Sequence, residues 1–190
     1  MIEHISERIV DRLLDSQMID VSESEAYIYT YECLLEKAVS IIIVVIIGIL
    51  CRHLMEGLVF MISFAVLRRR TGGYHCDSFA RCMLISSIVY LICICCGDYL
   101  ATYALLLFCI SFICTVYIWI VGCVNHPDMD MSQSEYEGSV ILARIALIGE
   151  SAVIGFLLWG GLDSVAVYIE MAIIVCAMAV FIAKIKRQEV

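Results

Sequence analysis

Six apolar stretches follow one another along this chain, at Ala38–Cys51, Gly57–Leu67, Met83–Cys96, Tyr99–Val124, Ser139–Trp159 and Ser164–Ala183. A backbone in lipid must satisfy its own hydrogen bonds, and only helices or closed barrels do so. The chain has a single proline and no alternating ten-residue strand pattern, which leaves helices. Its 63% apolar content and mean hydropathy of +0.96 exceed the level of soluble domains, which are about half apolar. The expected fold is all-α: a polytopic membrane protein of about six transmembrane or re-entrant helices, preceded by N-terminal amphipathic interfacial helices. We read residues 1–190 as one domain, with 1–36 amphipathic and 37–190 forming the bundle. The acidic, amphipathic start lacks the basic and apolar regions of a secretory signal, so the N-terminus is expected to be retained.

Ile2, Ile5, Ile9 and Leu13 recur at helical spacing among charged residues and predict a helix lying on the membrane surface. Ser22-x-x-Glu25 has the form of a capping box and predicts a second helix, with Tyr27, Ile28, Tyr31, Leu34 and Leu35 on its apolar face. The 14 residues Ala38–Cys51 reach only about 21 Å as a helix, short of a hydrocarbon core of about 30 Å. Arg52, His53 and Glu56 follow. A hairpin of two short helices turning at Arg52–Gly57 is preferred to one tilted helix, because a charge at mid-membrane costs about 2.5–3.5 kcal/mol. Gly97-Asp98 predicts a tight turn, and residues 125–138 a polar, acidic loop.

The net charge is −8, and residues 1–36 carry nine acids against Arg8 and Arg12. This balance argues against nucleic acid as a partner and suits a basic peptide. Lysine and arginine set orientation. Arg68–Arg70 and the Lys184, Lys186, Arg187 tail are both expected on the cytoplasmic side, with four spans between them. Cys93, Cys95, Cys96, Cys109, Cys114 and Cys176 sit in apolar runs and read as small hydrophobes. The Cys93-x-Cys95-Cys96 cluster lacks paired zinc spacing, and neither a metal site nor a cofactor is expected.

Chemistry concentrates between Arg68 and Cys82, where three arginines, two glycines, an imidazole and two thiols separate two apolar segments. A nucleophilic cysteine needs a base nearby, and positive surroundings favour its thiolate. Cys82 has Arg81 beside it and the arginine triplet upstream. His75 precedes it by seven residues, which on one continuous helix separates the α-carbons by about 10 Å. A His75–Cys82 dyad therefore requires a bend, and Gly72-Gly73 supplies backbone freedom for one. A headgroup-binding or solvated histidine is the competing reading, and metal binding by His75, Cys76 and Cys82 is a third. Cys76 is the poorer nucleophile, since adjacent side chains point to different faces. Asp77 and Ser78 read as helix caps, with Asp77 able to orient the imidazole. Arg144 and Glu150 lie six apart and do not share a helix face, so their partners must come from other helices. With Glu170 they either line a path for a peptide or lock the bundle, and the lock is the preferred reading.

The order Arg-x-x-Gly-Gly-x-His-x6-Cys followed by an apolar span resembles the AgrB family of membrane cysteine endopeptidases. The likeness is densest from about Met55 to Ser86, and His126-Pro127-Asp128 is similar to a proline-containing cytoplasmic loop of the family. The heavy cysteine load and that loop's acidity depart from the pattern. The resemblance puts His75 and Cys82 on the catalytic positions, and Arg70 and Gly73 on the family's basic and glycine positions. It implies a multi-pass protein of the bacterial cell membrane with its catalytic residues at the cytoplasmic side. It further implies a homodimer that meets lipid and an AgrD-like propeptide. In that reaction a Cys82 thioester releases the propeptide's C-terminal tail, and the peptide then cyclises to a thiolactone. The alternative function is a non-enzymatic transporter or scaffold binding an anionic ligand or peptide.

Overall fold

The computed structural model of the protein describes residues 2–74, 76, 78–124 and 132–187. Seven α-helices occur there: α1 (Ile2–Asp15), α2 (Ser24–Cys51), α3 (Leu54–Thr71), α4 (Phe79–Ala101), α5 (Ala104–Val121), α6 (Gln133–Trp159) and α7 (Asp163–Ile185). No strand is present among the described residues. Five of the helices, α2 and α4 to α7, are long and apolar enough to cross a membrane. The protein is an all-α polytopic membrane protein, as its apolar runs imply. In α3, Glu56 and Arg68–Arg70 bracket a short apolar centre.

Two compact units divide the chain at residues 1–46 and 47–190, with α2 running through the division. In the first unit the side of α1 that is covered passes through Ser6 and Val10, both buried, while Ile5 is exposed. The expected stripe of isoleucines is thus only partly inward. Ser6 explains the difference: it donates to the Ile2 carbonyl at 3.2 Å and to the Glu32 carboxylate at 3.4 Å, so a polar contact sets how α1 is turned.

Ser22 does not begin the second helix. Val21–Glu23 form a 3-10 turn, α2 starts at Ser24, and it continues without a break to Cys51. The elements expected at 22–36 and 38–51 are one helix, because Glu36 and Lys37 between them are good helix formers. Its 28 residues reach about 42 Å, which removes the length shortfall. A chain break follows, as the separate-helix reading requires, but it is confined to Arg52, at φ 61°, and His53. Residues 54–57 already belong to α3.

Gly97-Asp98 is not a turn. α4 continues to Ala101, and Thr102-Tyr103 lead into α5. Gly97 is buried against Tyr168 of α7, whose phenol occupies the space a Cβ would take. The glycine permits close helix packing, a use that local sequence does not distinguish from a turn. Hydropathy alone starts α6 too late, at Ser139. Ser132 accepts from the Glu135 N–H while Glu135 accepts from the Ser132 N–H, a full capping box that begins the helix at Gln133 instead of Ser139.

Within the second unit α7 is the central post. Every residue from Ala166 to Ile173 is buried, and α7 packs most extensively on α3 and α5, then on α4 and α6. Leu67, Ile118, Leu147, Ile154, Ile173 and Cys176 form its main core. Lipid is as apolar as leucine, so helices associate there through close packing of small residues. Ala166, Ala172, Ala177 and Ala183 supply that on α7, and Gly57 and Ser63 on α3. Outward residues such as Ile42, Leu84, Leu105, Ile120 and Ile145 are exposed and apolar, the surface lipid would cover.

Candidate active site

The ends of α3, α5 and α7 meet at one end of the second unit, and the segment leading into α4 is held among them. The Val124 N–H donates to the Thr71 carbonyl at 2.8 Å, and the Tyr74 N–H donates to the Ala179 carbonyl at 2.9 Å. Arg68 closes the arrangement. Its guanidinium donates to the carbonyl of Gly72 and, at 2.6 Å, to the carbonyl of Tyr74. A cation in the last turn of a helix satisfies carbonyls that the helix leaves free; here it satisfies those of the following loop.

Two glycines make this clamp possible. Gly72 has φ 63° and Gly73 φ 129°, values side-chain-bearing residues rarely adopt. A Cβ on Gly72 would lie 2.6 Å from the Val124 carbonyl oxygen, and one on Gly73 would collide with the Arg68 guanidinium. Gly73→Ala is therefore expected to destabilise the protein by about 1–3 kcal/mol through backbone strain. Thermal unfolding in detergent, read beside the wild type, checks this; an unchanged midpoint contradicts the clamp geometry.

Cys82 stands in the first turn of α4, its N–H donating to the Ser78 carbonyl at 3.1 Å. It is half-buried, and Arg68 is close enough for its charge to act on the Cys82 thiol. Ser78 occupies the N-cap position without making a side-chain cap bond. His75 and Asp77 lie outside the described residues. The helix boundaries nonetheless bear on the required bend: α3 ends at Thr71, and the helix that holds Cys82 begins only at Phe79.

Cys76 is half-buried and Arg81 is exposed on the outer side of α4's first turn. Arg70 is half-buried, and it is Arg68, two residues earlier, that makes the loop contacts. The family resemblance points to Arg70, and the loop contacts belong to Arg68. A signal for Arg68 was present, since positions 64, 67, 68 and 71 share a helix face, and Leu67 and Thr71 are fully buried. Cys123, beside the site, is an inert thiol: burial pushes it up to about 11, against the opposing charges of Lys184 and Arg144.

Farther along α6, Arg144 donates to the Trp119 carbonyl at 3.1 Å and lies 5.1 Å from the Trp119 ring centre. Its partner is thus on another helix, at the C-terminal end of α5, where a cation is favoured. Glu150 faces Ser63 of α3, with both carboxylate oxygens enclosed. The oxygens of Glu170 on α7 are enclosed too and have no hydrogen-bond partner among the described residues.

The sequence matches the family model for accessory gene regulator B over residues 6–183. The chain belongs to the AgrB family. It is similar to two AgrB-like proteins of Clostridium perfringens. AgrB-like protein 2 of strain 13 (type A) is 32% identical over 89 residues, and the AgrB-like protein of strain SM101 (type A) is 34% identical over 89 residues. Each alignment covers 47% of this chain and 42% of the relative, so the matched part of the chain spans about two fifths of the relatives' length. No solved structure matches. Membership in the AgrB family agrees with the helical bundle.

Proposed function

We propose that this AgrB-family chain is a membrane cysteine endopeptidase that cleaves an AgrD-like propeptide and closes the freed segment into a ring. The observation that carries this reading is the position of Cys82: a half-buried thiol in the first turn of α4, within range of the Arg68 charge and eleven residues beyond α3's last residue. His75 takes the Cys82 thiol proton, and the thiolate attacks the peptide carbonyl that precedes the C-terminal tail. The C–N bond breaks, the imidazolium returns its proton to the departing amine, and the N-terminal part remains as a Cys82 thioester. A thiol within that peptide then attacks the thioester carbonyl, forming a thiolactone and freeing Cys82. Exchange between thioesters is close to neutral in free energy, so the acyl-enzyme conserves the energy of the cleaved amide for ring closure. Exclusion of water preserves it from hydrolysis.

Charge distribution supports a cytoplasmic site. Arg68, Arg69, Arg70, Arg81, Lys184, Lys186 and Arg187 all belong to the end where α3, α5 and α7 finish and α4 starts, whereas Arg52 is at the opposite end. By the positive-inside rule the first end faces the cytoplasm. The substrate approaches from there, and a second copy of the chain completes a homodimer in the lipid.

The test is trapping the intermediate. Protein in liposomes is mixed with the propeptide encoded by a short reading frame beside the gene, quenched in acid and digested. The expected product is a peptide adduct on Cys82 that hydroxylamine removes, appearing together with free tail. Tail release with no adduct on any cysteine would overturn the covalent route.

A further inference from the structure

We infer that a groove between α5 and α6 binds one anionic phospholipid, with its phosphate on Arg144 and an acyl chain along the apolar walls. Positions 112, 115, 116 and 119 of α5 and 147, 148 and 151 of α6 line a cavity of about 410 Å³, within the size range of ligand clefts. Each set recurs at intervals of three and four residues and so forms one face of its helix. Both helices pack more on α7 than on each other. Leu147, fully buried, is the floor between them, and the exposed Phe112, Trp119 and Ile148 are the walls.

Arg144 begins the same face of α6, one turn before Ile148. It donates to the Trp119 carbonyl near the end of α5 and stacks on the Trp119 ring, which places it at the basic end of the bundle. That bond engages one N–H of a guanidinium that carries several. Nε has no hydrogen-bond partner, and no carboxylate pairs with Arg144, among the described residues. A cation at this level is matched by an anion in the headgroup layer, and basic pockets between helices hold such headgroups. From Trp119 back to Phe112 the groove runs about 10 Å toward the membrane centre, with Thr115 and Ser151 as its polar side chains. An anion above a length of hydrocarbon matches that order, and an anionic phospholipid supplies both. The inference is independent of the Cys82 chemistry.

Trp119 reports on its own site once Trp159, the other tryptophan, is replaced by phenylalanine. The full-length Trp159→Phe protein is placed in phosphatidylcholine liposomes. Phosphatidylglycerol or phosphatidylcholine, brominated high on its acyl chains, is then titrated in, because bromine quenches indole only at close range. The brominated phosphatidylglycerol is expected to reach half-quenching at about three- to tenfold lower mole fraction, the scale of one basic residue at an anionic headgroup. With Arg144→Gln added, the two lipids are expected to quench alike. Arg144→Lys keeps the charge without the planar fork and is expected to fall between. Arg69→Gln, which removes an exposed charge at the same end, is expected to keep the full preference. Ser151→Phe fills the groove while leaving Arg144 in place, and is expected to lose it.

Equal quenching by the two lipids without further substitution, or a preference that survives Arg144→Gln, would overturn the inference. Loss of the preference in Arg69→Gln would overturn it in favour of a general rim charge, and a preference that survives Ser151→Phe would remove the acyl chain from the groove. Quenching by neither lipid would overturn it in favour of a second copy of the chain covering this face.

Discussion

Cys82→Ala is expected to lower tail release by about four orders of magnitude or more and to leave no hydroxylamine-sensitive adduct. The reason is chemical: an amide resists water, and the remaining groups polarise or position it without supplying a nucleophile. Alanine fits the position, since Cys82 is only half-buried and its backbone contact is the N–H to the Ser78 carbonyl, which survives. Helix content and thermal midpoint in detergent should therefore match the wild type, separating lost chemistry from lost fold. Cys82→Ser keeps a nucleophilic atom of the right valence, but a hydroxyl yields far less anion than a thiol, and its ester would be a poorer acyl donor. Its rate is expected close to that of the alanine variant. Unchanged processing by Cys82→Ala would sink the covalent mechanism and favour a scaffold that holds an anionic peptide for another protein.

Arg68→Ala should be nearly as damaging, by a different route. Its guanidinium supplies donors to the Gly72 and Tyr74 carbonyls and places positive charge near Cys82. Hydrogen bonds from a charged group are each worth about 1.5–3 kcal/mol, and carbonyls left unpaired lose more than the bond alone. Losing both clamps and the charge is expected to lower tail release about 10²- to 10³-fold, the result of about 3–4 kcal/mol in the barrier. The α3–α7 packing through Leu67 and Ile173 remains, so insertion and helix content should persist. Arg68→Lys separates the two contributions. An ammonium keeps the charge but cannot span two carbonyls as a planar fork does, and an intermediate rate is expected. Equal rates for Arg68→Lys and wild type would assign Arg68 to charge alone.

The apolar runs were legible because lipid imposes one rule on every span, and their order led directly to a helical bundle. Boundaries were less legible wherever a tertiary contact used a residue with a strong local reading. Gly97 reads as a turn and instead makes room for Tyr168; Arg52–Gly57 reads as a loop and is only a two-residue break. Hydropathy missed the first turns of α6, which are polar, although Ser132 and Glu135 carried the cap that starts them. The candidate site shows the same division. A cysteine followed by an apolar span and preceded by glycines and arginines marked the segment, and the family resemblance implies a chemistry for it. Which arginine holds the loop was not decided by composition, since three stand together.

Residue order alone established the all-α membrane class, the two basic ends that share a side, and Cys82 as the thiol with positive neighbours, because those follow from solvent and charge, which act on every residue locally. Tertiary structure decided that Arg68 turns inward while Arg69 turns out, that Ala179 and Lys186 brace Tyr74 from a helix more than one hundred residues away, and that Gly73 has no room for a side chain. Those are matters of helix phase and of which ends meet. A helix turns about 100° per residue, so a shift of one position changes the partner completely while leaving the pattern of apolar runs almost unaltered.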